Sequence, residues 1–235
     1  MRKTFFIIMI CVISKVFAQE KIRYETHTQI FSLSPIAKRV DKVNGLVLGI
    51  GHFENQNIGK QTINGINLEA NPMGLAIPFF IFYIPELIRN NKANIDKDSL
   101  QIIKMDNSDL LIQMNGINIS SGCFMTSANV NGLSVSLFNK IKSFNGINST
   151  VFGLQSDTLN GFSFGAYNGV NKLNGVTIGL FNEAYSLNGI QVGFYNYNVV
   201  HSGLQLGIFN MSKSRGVQIG LWNINNKRSM PFINW

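Results

Sequence analysis

Cysteine is almost absent from this chain of 235 residues, which contains only two. Cys11 lies in an apolar N-terminal run that we expect to be removed, so Cys123 alone would remain in the mature protein. A single cysteine cannot form an internal disulfide, even in an oxidising compartment. We expect Cys123 to be a small buried side chain, and the fold to depend on packing and hydrogen bonds.

Charged residues are few as well, with 12 acidic and 20 basic side chains. Loss of Arg2, Lys3 and Lys15 with the N-terminal run would lower the formal net charge of +8 by three, to +5. The remaining basic residues are scattered singly rather than gathered into a patch, which argues against nucleic-acid binding. A mild positive excess is typical of a solvated surface, and it is compatible with an anionic membrane or polysaccharide.

Residues that could perform chemistry are sparse, and the chain has only three histidines. His52 and Glu54 offer just two metal ligands, so a surface or turn position is favoured for His52. His201 replaces an apolar residue of the repeat, and we expect it to be partly buried with a structural role. No Gly-x-Ser-x-Gly motif occurs with a plausible base nearby. Four carboxylates share one charged segment that is typical of a solvated loop: Asp96, Asp98, Asp106 and Asp109. We predict no catalytic residue, no cofactor and no metal site.

The N-terminus has the pattern of a secretory signal peptide. Arg2 and Lys3 precede an apolar run over residues 5–13, and Ala18 offers the small residue that a signal peptidase requires. The run is too short to span a membrane as a helix. We predict cleavage after Ala18, export, and a mature protein that begins at Gln19. A lipoprotein anchor at Cys11 is the alternative, although Ile10 precedes it where a small residue is needed.

A short repeat dominates the rest of the chain. Each unit has the order Gly, apolar, polar, apolar, Gly, apolar, aromatic, Asn, and the opening Gly is usually preceded by Asn. Units begin at Gly116 and then about every 14 residues, with earlier copies at Gly45 and Gly65. Because Asn-Gly tolerates positive φ, the opening glycines are predicted to form turns. These predicted turn residues are Gly132, Gly146, Gly161, Gly175, Gly189, Gly203 and Gly216.

Alternation of apolar and other residues within a unit predicts β-strands with one buried face. In the unit that opens at Gly203, Leu204, Leu206 and Ile208 share the face predicted to be buried, and Gln205, Gly207 and Phe209 share the other. A helix is excluded, since each Gly would cost about 1 kcal/mol there. The fold class is therefore all-β.

Two all-β architectures fit the repeat. In a β-solenoid each unit of about 14 residues is one coil, and equivalent asparagines could stack into a hydrogen-bonded ladder over an apolar core. In a small up-and-down outer-membrane barrel each unit is one strand with its connection. The solenoid is favoured, because the period is one unit rather than two and all connections have similar lengths. The ladder would contain Asn139, Asn168, Asn182, Asn196, Asn210 and Asn223.

We expect one β-repeat domain over residues 19–235, with regular repeats at 116–223. Residues 75–114 are predicted to be an atypical insertion that caps the solenoid at its N-terminal end. Within it, the apolar stretch from Leu75 to Ile88 contains Pro78 and Pro85, and a segment resting on a membrane is the alternative for it.

Aromatic residues recur at one position of successive units. They are predicted to complete the core, or else to form an exposed stripe that binds sugar rings or a partner protein. The candidate stripe consists of Phe138, Tyr167, Phe181, Tyr195, Phe209 and Trp222.

The serial NG-apolar-x-apolar-G-apolar-aromatic-N units and the closing "GVQIGLWNINNKRSMPFINW" resemble a family of exported bacterial surface-repeat proteins. The resemblance covers most of the mature chain, and it implies export to the cell envelope and a repeat-built body without an assigned activity. Residues 146–160 depart from the pattern, because Gln155 stands where Asn is expected, which puts a continuous ladder in doubt there.

The hypothesis favoured by the sequence is a non-enzymatic envelope scaffold located in the outer membrane or at the cell surface. The sequence identifies no partner; envelope polysaccharide, another surface protein and membrane association are all compatible with it. An outer-membrane barrel that acts as a pore or anchor is the alternative, and an enzyme acting on envelope polysaccharide through the acidic residues of the insertion comes third.

Overall fold

The computed structural model describes residues 27–52, 59–72, 74 and 111–235. The described residues form strands and their connections, and the strands belong to one sheet. The elements are β1 (His27–Ser34), β2 (Val40–Gly49), β3 (Gln61–Glu69), β4 (Ile112–Ser120), β5 (Cys123–Phe164), β6 (Tyr167–His201), β7 (Leu204–Ser212), β8 (Val217–Ile224) and β9 (Ser229–Asn234). The predicted signal peptide, residues 1–18, lies outside the described residues.

Successive strands are parallel and pair with equivalent repeat positions side by side. Gly65 pairs with Gly45 on one neighbour and with Gly116 on the other, and Asn196 pairs with Asn210. The long strands β5 and β6 each pass through several coils without a break. Inside β5, for example, the Nδ2 of Asn145 donates a hydrogen bond to the Oδ1 of Asn131, 14 residues earlier.

This arrangement is a β-solenoid of about 10 turns, so the prediction of a repeat-built solenoid is confirmed. The barrel alternative is wrong, because consecutive strands of an up-and-down barrel are antiparallel, whereas β1 to β8 pair in parallel at equivalent positions. A parallel neighbour one unit away requires a complete coil between the two strands. The single-unit period of the sequence is the feature that produces this geometry.

The last strand reverses direction. β9 runs antiparallel to β8, with Gln218 opposite Asn234 and Ile224 opposite Ser229. The turn between them is held by Asn225, whose Oδ1 accepts hydrogen bonds from the backbone N–H groups of Lys227 and Arg228 at 2.9 and 3.0 Å. The Arg228 guanidinium lies 4.1 Å from the ring centre of Trp235. The stack therefore ends in a hairpin rather than in another coil.

The predicted insertion enters the stack between two neighbouring coils. β3 and β4 pair over nine residues in unbroken register, from Gln61 with Ile112 to Glu69 with Ser120. Residues 112–114, the end of the predicted capping unit, lie in β4 in the interior of the stack, while residues 75–110 lie outside the described residues. The described strand at the N-terminal end of the sheet is β1.

The opening glycines lie mainly within strands and not in tight turns. Gly132, Gly146 and Gly161 are in β5, Gly175 and Gly189 are in β6, and only Gly203 and Gly216 fall in the connections that precede β7 and β8. The turn interpretation is therefore corrected for five of the seven. Of the seven, Gly132, Gly146, Gly161 and Gly175 have φ between 126° and 148°, a region that favours glycine. A Cβ on any of these four would collide with the carbonyl oxygen of the glycine one coil earlier.

Candidate interaction surface

The first part of each repeat strand has its side chains in the opposite direction to the predicted one. Gln205, which was assigned to the exposed face, is fully buried, whereas Ile208, which was assigned to the buried face, is 36% exposed. Phe209, assigned to the same face as Gln205, is 44% exposed, in agreement with the prediction. Leu204 and Leu206 are half-buried. From the unit of Gly65 onward, the polar residue two places after the opening glycine points into the coil, and the residues on either side of it point out. The predicted buried face is therefore wrong for this part of the repeat.

Three outward columns make up one surface, which we call the apolar face. It contains the residues one, three and five places after each opening glycine, such as Val176, Ile178 and Leu180. None of the residues in these columns, from the coil of Gly45 to that of Gly216, is charged. Several large members are well exposed: Ile147 and Phe162 at 47%, Leu180 at 56% and Leu221 at 61%.

Buried amide groups explain why the apolar side chains point outward. Asn168, Asn182, Asn196, Asn210 and Asn223 are stacked inside the coils, each no more than 1% exposed. The Nδ2 of each donates to the Oδ1 of the next at 2.8–2.9 Å. Each Nδ2 also has a backbone carbonyl partner, for example Leu206 O at 3.0 Å from Asn196. A ladder in which every amide has partners can be buried without a large desolvation penalty.

The second glycine, which is present in each of the last five units, makes room for this ladder. A Cβ at Gly207 would lie 2.5 Å from the Nδ2 of Asn196, and one at Gly193 would lie 2.5 Å from the Nδ2 of Asn182. Both would also collide with the carbonyl oxygen of the equivalent glycine one coil earlier. The inner glycine and the ladder asparagine therefore depend on each other, because the amide occupies the space that a side chain at the glycine position would fill.

The ladder continues through the irregular unit at residues 146–160. The Nδ2 of Asn139 donates to the Oδ1 of Asn148 at 2.8 Å, Asn148 donates to the Oγ of Ser163 at 2.9 Å, and Ser163 donates to Asn168 at 2.6 Å. Asn148 and Ser163 occupy the inward polar position of their units, so they bridge the gap left at Gln155. The expected interruption is absent. The same contacts bury Ser163 within its Gly-x-Ser-x-Gly stretch as a structural hydroxyl.

Two further polar ladders accompany the first. One is buried near the C-terminal end, where Gln205 donates to Gln191 at 2.9 Å, Gln218 to Gln205 at 2.8 Å, and Asn234 of β9 to Gln218 at 3.0 Å. The other links the asparagines of the Asn-Gly pairs at 2.6–2.8 Å along the outer edge of the apolar face: Asn44, Asn64, Asn115, Asn131, Asn145, Asn160 and Asn174. Side-chain amides thus join coil to coil on both sides of the strand that carries the apolar face.

The apolar core lies at the other side of each coil interior. Its main column is the residue before each Asn-Gly pair, and these residues are at most 3% exposed: Val43, Ile63, Met114, Val130, Phe144, Leu159, Leu173 and Leu187. His201 continues this column at 6% exposure, as its sequence position suggested. Its Nε2 lies 3.1 Å from the carbonyl oxygen of Val217. Burial lowers the pKa of His201, and the contact with Val217 opposes that shift.

The predicted aromatic stripe divides into buried and exposed members. Tyr167 and Tyr195 are buried, and the hydroxyl of Tyr167 donates to the Oε2 of Glu183 at 3.0 Å. Burial, followed by the negative charge of Glu183, raises the pKa of both tyrosines. Phe138 and Phe181 are half-buried, and the Phe181 ring lies 6.5 Å from that of Tyr195. Only Phe209 and Trp222 are exposed, so the six rings do not form a continuous exposed stripe.

Charged side chains occupy the remaining segment of each coil. Apart from Glu69, and from Lys227 and Arg228 in the closing hairpin, the described charged residues lie on the segment that precedes an opening glycine, as Lys142, Lys172 and Lys213 do. Glu69 is buried, and its Oε1 contacts the Nδ1 of His52. These two residues replace an inner glycine and a ladder asparagine in the first coils, which corrects the expectation that His52 lies at the surface.

Within the described part of the chain, no group of three His, Cys, Asp or Glu side chains could hold a metal ion. Glu54 and the four aspartates at 96–109 are outside that part. The Cys123 thiol is buried. No helix in the described ranges is both long and apolar enough to cross a membrane. The feature of the described chain that offers a large contact surface is the apolar face.

Comparison with protein-family models, with curated proteins and with solved structures gave no match. The class of the protein is therefore defined by its architecture, which is a β-solenoid with a polar ladder inside and an uncharged apolar face outside.

Proposed function

We propose that this protein is an exported, non-enzymatic component of a bacterial cell envelope and acts there as a structural or interaction scaffold through its apolar face. The observation that carries the proposal is the size and uniformity of this face. Five residues at ~3.3 Å each and about 10 coils at ~4.8 Å each give roughly 800 Å². The largest apolar patch on an ordinary monomer is about 300–600 Å². A larger uncharged surface is typical of a binding interface.

Two features of the sequence support the location. The signal-peptide pattern at residues 1–18 supports export, and the resemblance to surface-repeat proteins supports the envelope as destination. The apolar face fits a protein or another apolar surface better than a polysaccharide. Its side chains offer few hydrogen-bonding groups, while sugar recognition depends on them.

The location is tested by expressing the full chain in a Gram-negative bacterium and separating cytoplasm, periplasm, envelope membranes and medium. We expect a processed protein that begins at Gln19 by mass spectrometry and that sediments with the envelope. An unprocessed chain in the cytoplasm would contradict export, and a processed chain recovered only from the medium would contradict the envelope role.

The role of the apolar face is tested in the same fractionation with a double substitution. Phe162→Lys/Leu180→Lys places two charges on the face, and we expect the variant to leave the envelope fraction. Tyr185→Lys/Val200→Lys is the matched control, because these side chains are 46% and 43% exposed on the charged segment of the coil. The control is expected to fractionate as the wild type does. Equal envelope association of all three proteins would refute a function for the face.

A further inference from the structure

We propose that the apolar face binds a second copy of this chain, so that the scaffold is a two-fold dimer with the two faces packed against each other. This inference rests on the proposed use of the face as a binding surface and names its partner. It is carried by the area of the face, by its charge pattern and by the arrangement of its columns.

The area matches that of a stable interface. A standard protein–protein interface buries about 800 Å² on each partner, which is the size obtained above for the whole face. Two sheets that pack face to face lie about 10 Å apart, and their side chains interdigitate. Columns of single side chains separated by inward-pointing residues, as in Val176, Thr177 and Ile178, leave the grooves that such packing fills.

The charge pattern favours a second copy over a charged partner. In a two-fold interface the same patch meets itself, so any charge on it would come close to an identical charge. The three columns contain no Asp, Glu, Lys or Arg, and self-association therefore encounters no electrostatic repulsion. A partner of opposite charge would find no complementary group on this surface.

The basic residues argue against a lipid membrane as the occupant. Binding to an anionic membrane is usually strengthened by Lys and Arg beside the inserted apolar residues. Here Lys142, Lys172 and Lys213 lie on the other segment of the coil, together with the acidic residues. Electrostatic attraction to anionic lipid would therefore present the charged segment to the membrane, and not the apolar face.

The proposed dimer has its two-fold axis parallel to the strands of the apolar face. Such an axis overlaps the two faces fully when it passes through the middle of the stack, and it places the first coil of one copy against the last coil of the other. Ile147 and Phe162, in the fifth and sixth of the coils that open at Gly45 and end with that of Gly216, lie there. They flank the axis on either side, so Ile147 of one copy would lie opposite Phe162 of the other. Val217, in the last coil, would lie opposite Leu46 in the first.

The dimer is tested with the purified mature protein in buffer without detergent or lipid. Size-exclusion chromatography with light scattering should give twice the mass of one chain, and dilution should convert it reversibly to the monomer. Phe162→Lys/Leu180→Lys should weaken the association at least about 100-fold, since two buried charges per copy meet apolar surface or each other. Tyr185→Lys/Val200→Lys should leave it unchanged. Circular dichroism spectra establish that both variants are folded.

Orientation is tested by oxidation of variants that each contain one introduced cysteine, with the buried Cys123 retained in all of them. Ile147→Cys should cross-link to Phe162→Cys in a mixture, whereas Tyr185→Cys should cross-link to neither of them. Val217→Cys should cross-link to Leu46→Cys in a mixture, but not to itself. Cross-linking of Val217→Cys to Leu221→Cys, without that of Val217→Cys to Leu46→Cys, would place the axis along the stack instead and overturn the proposed two-fold arrangement.

A wild-type protein that is monomeric at every concentration would overturn the dimer without the aid of any variant. If such a monomer floats with phosphatidylcholine vesicles, the face binds lipid instead of a second copy. If it does not, and envelope association in cells still depends on Phe162 and Leu180, another protein covers the face. In both cases the self-association is refuted while the scaffold function stands. Loss of export or of envelope association in cells would refute that function independently.

Discussion

Loss of one amide from the buried ladder should be among the most destabilising polar substitutions in this protein. Asn196 accepts from Asn182 at 2.9 Å and donates to Asn210 at 2.8 Å and to the carbonyl of Leu206 at 3.0 Å. At about 1 kcal/mol for each buried hydrogen bond, Asn196→Ala should lower the free energy of unfolding by about 3 kcal/mol. Two neighbouring amides would also be left with an unmatched group.

The position of an asparagine along the ladder should set the magnitude. Asn223 accepts from Asn210 at 2.8 Å, but its own Nδ2 donates only to backbone carbonyls, at 3.2 Å to Gly220 and 3.4 Å to Met230. Its removal disturbs one other amide side chain instead of two, and its remaining bonds are longer. We expect Asn223→Ala to cost about 1–2 kcal/mol. The measurement is urea unfolding followed by circular dichroism.

A double-mutant cycle tests whether neighbouring amides share a bond. Asn182→Ala and Asn196→Ala each break the hydrogen bond between the two residues, whereas the double variant breaks it only once. The sum of the single losses should therefore exceed the loss in the double variant by about 0.5–1.5 kcal/mol. Asn182→Ala with Asn223→Ala is the control, because three coils at ~4.8 Å separate the residues and additivity is expected. Additive losses in the first pair would refute the ladder as a chain of shared bonds.

Three further predictions concern backbone space, protonation and strain. Gly189→Ala should destabilise the protein by about 1–3 kcal/mol through overpacking, because a Cβ there would lie 2.8 Å from the backbone nitrogen of Gly175. Gly59→Ala is the control: a Cβ at Gly59 would meet nothing within 4 Å, so thermal unfolding should be unchanged. Burial lowers the pKa of His201 from its ordinary 6.5, so the unfolded chain binds more protons than the folded protein below that pH. The stability of the wild type should therefore fall between pH 7 and pH 5. The urea midpoint of His201→Leu should fall less over the same range. Phe232 has a φ of 65°, a region that strains any residue except glycine, and its side chain is 69% exposed. Phe232→Gly should therefore raise the free energy of unfolding by about 1 kcal/mol. A lower melting temperature of this variant would contradict strain at Phe232.

The coil architecture could be predicted from the sequence because it follows from a period. A repeat of one unit places Gly175 beside Gly161 and Asn182 beside Asn168, and no other arrangement of strands satisfies both. The direction of the side chains could not be derived from alternation alone, since a strand with alternating residues has two possible orientations. The rule that apolar side chains are buried favours the orientation that the structure does not have. The polar residues can be inside only because each amide meets an identical amide one coil away.

One signal of this inversion was present in the sequence. The inward polar position is occupied by Asn, Ser, Thr or Gln from Asn67 to Gln218, and never by a charged residue. A solvent-exposed polar position would be expected to contain Lys or Glu in several of so many units. The second glycine is a further signal, because an outer face gives no reason to omit a side chain repeatedly. The buried pair of His52 and Glu69 was beyond prediction, since it depends on contacts between two coils that differ from the rest.

The reversal of β9 has a consequence for polymerisation. If β8 were the last strand, its edge would present unpaired backbone groups and the amides of Gln218 and Asn223, in the same spacing that joins each coil to the next. β9 occupies that edge in the antiparallel direction, and Asn234 donates to Gln218. A further parallel coil, or the first coil of another molecule, cannot add in register to a strand of opposite direction. The closing hairpin therefore prevents end-to-end association at β8. A variant truncated after residue 225 should associate end to end and form fibres.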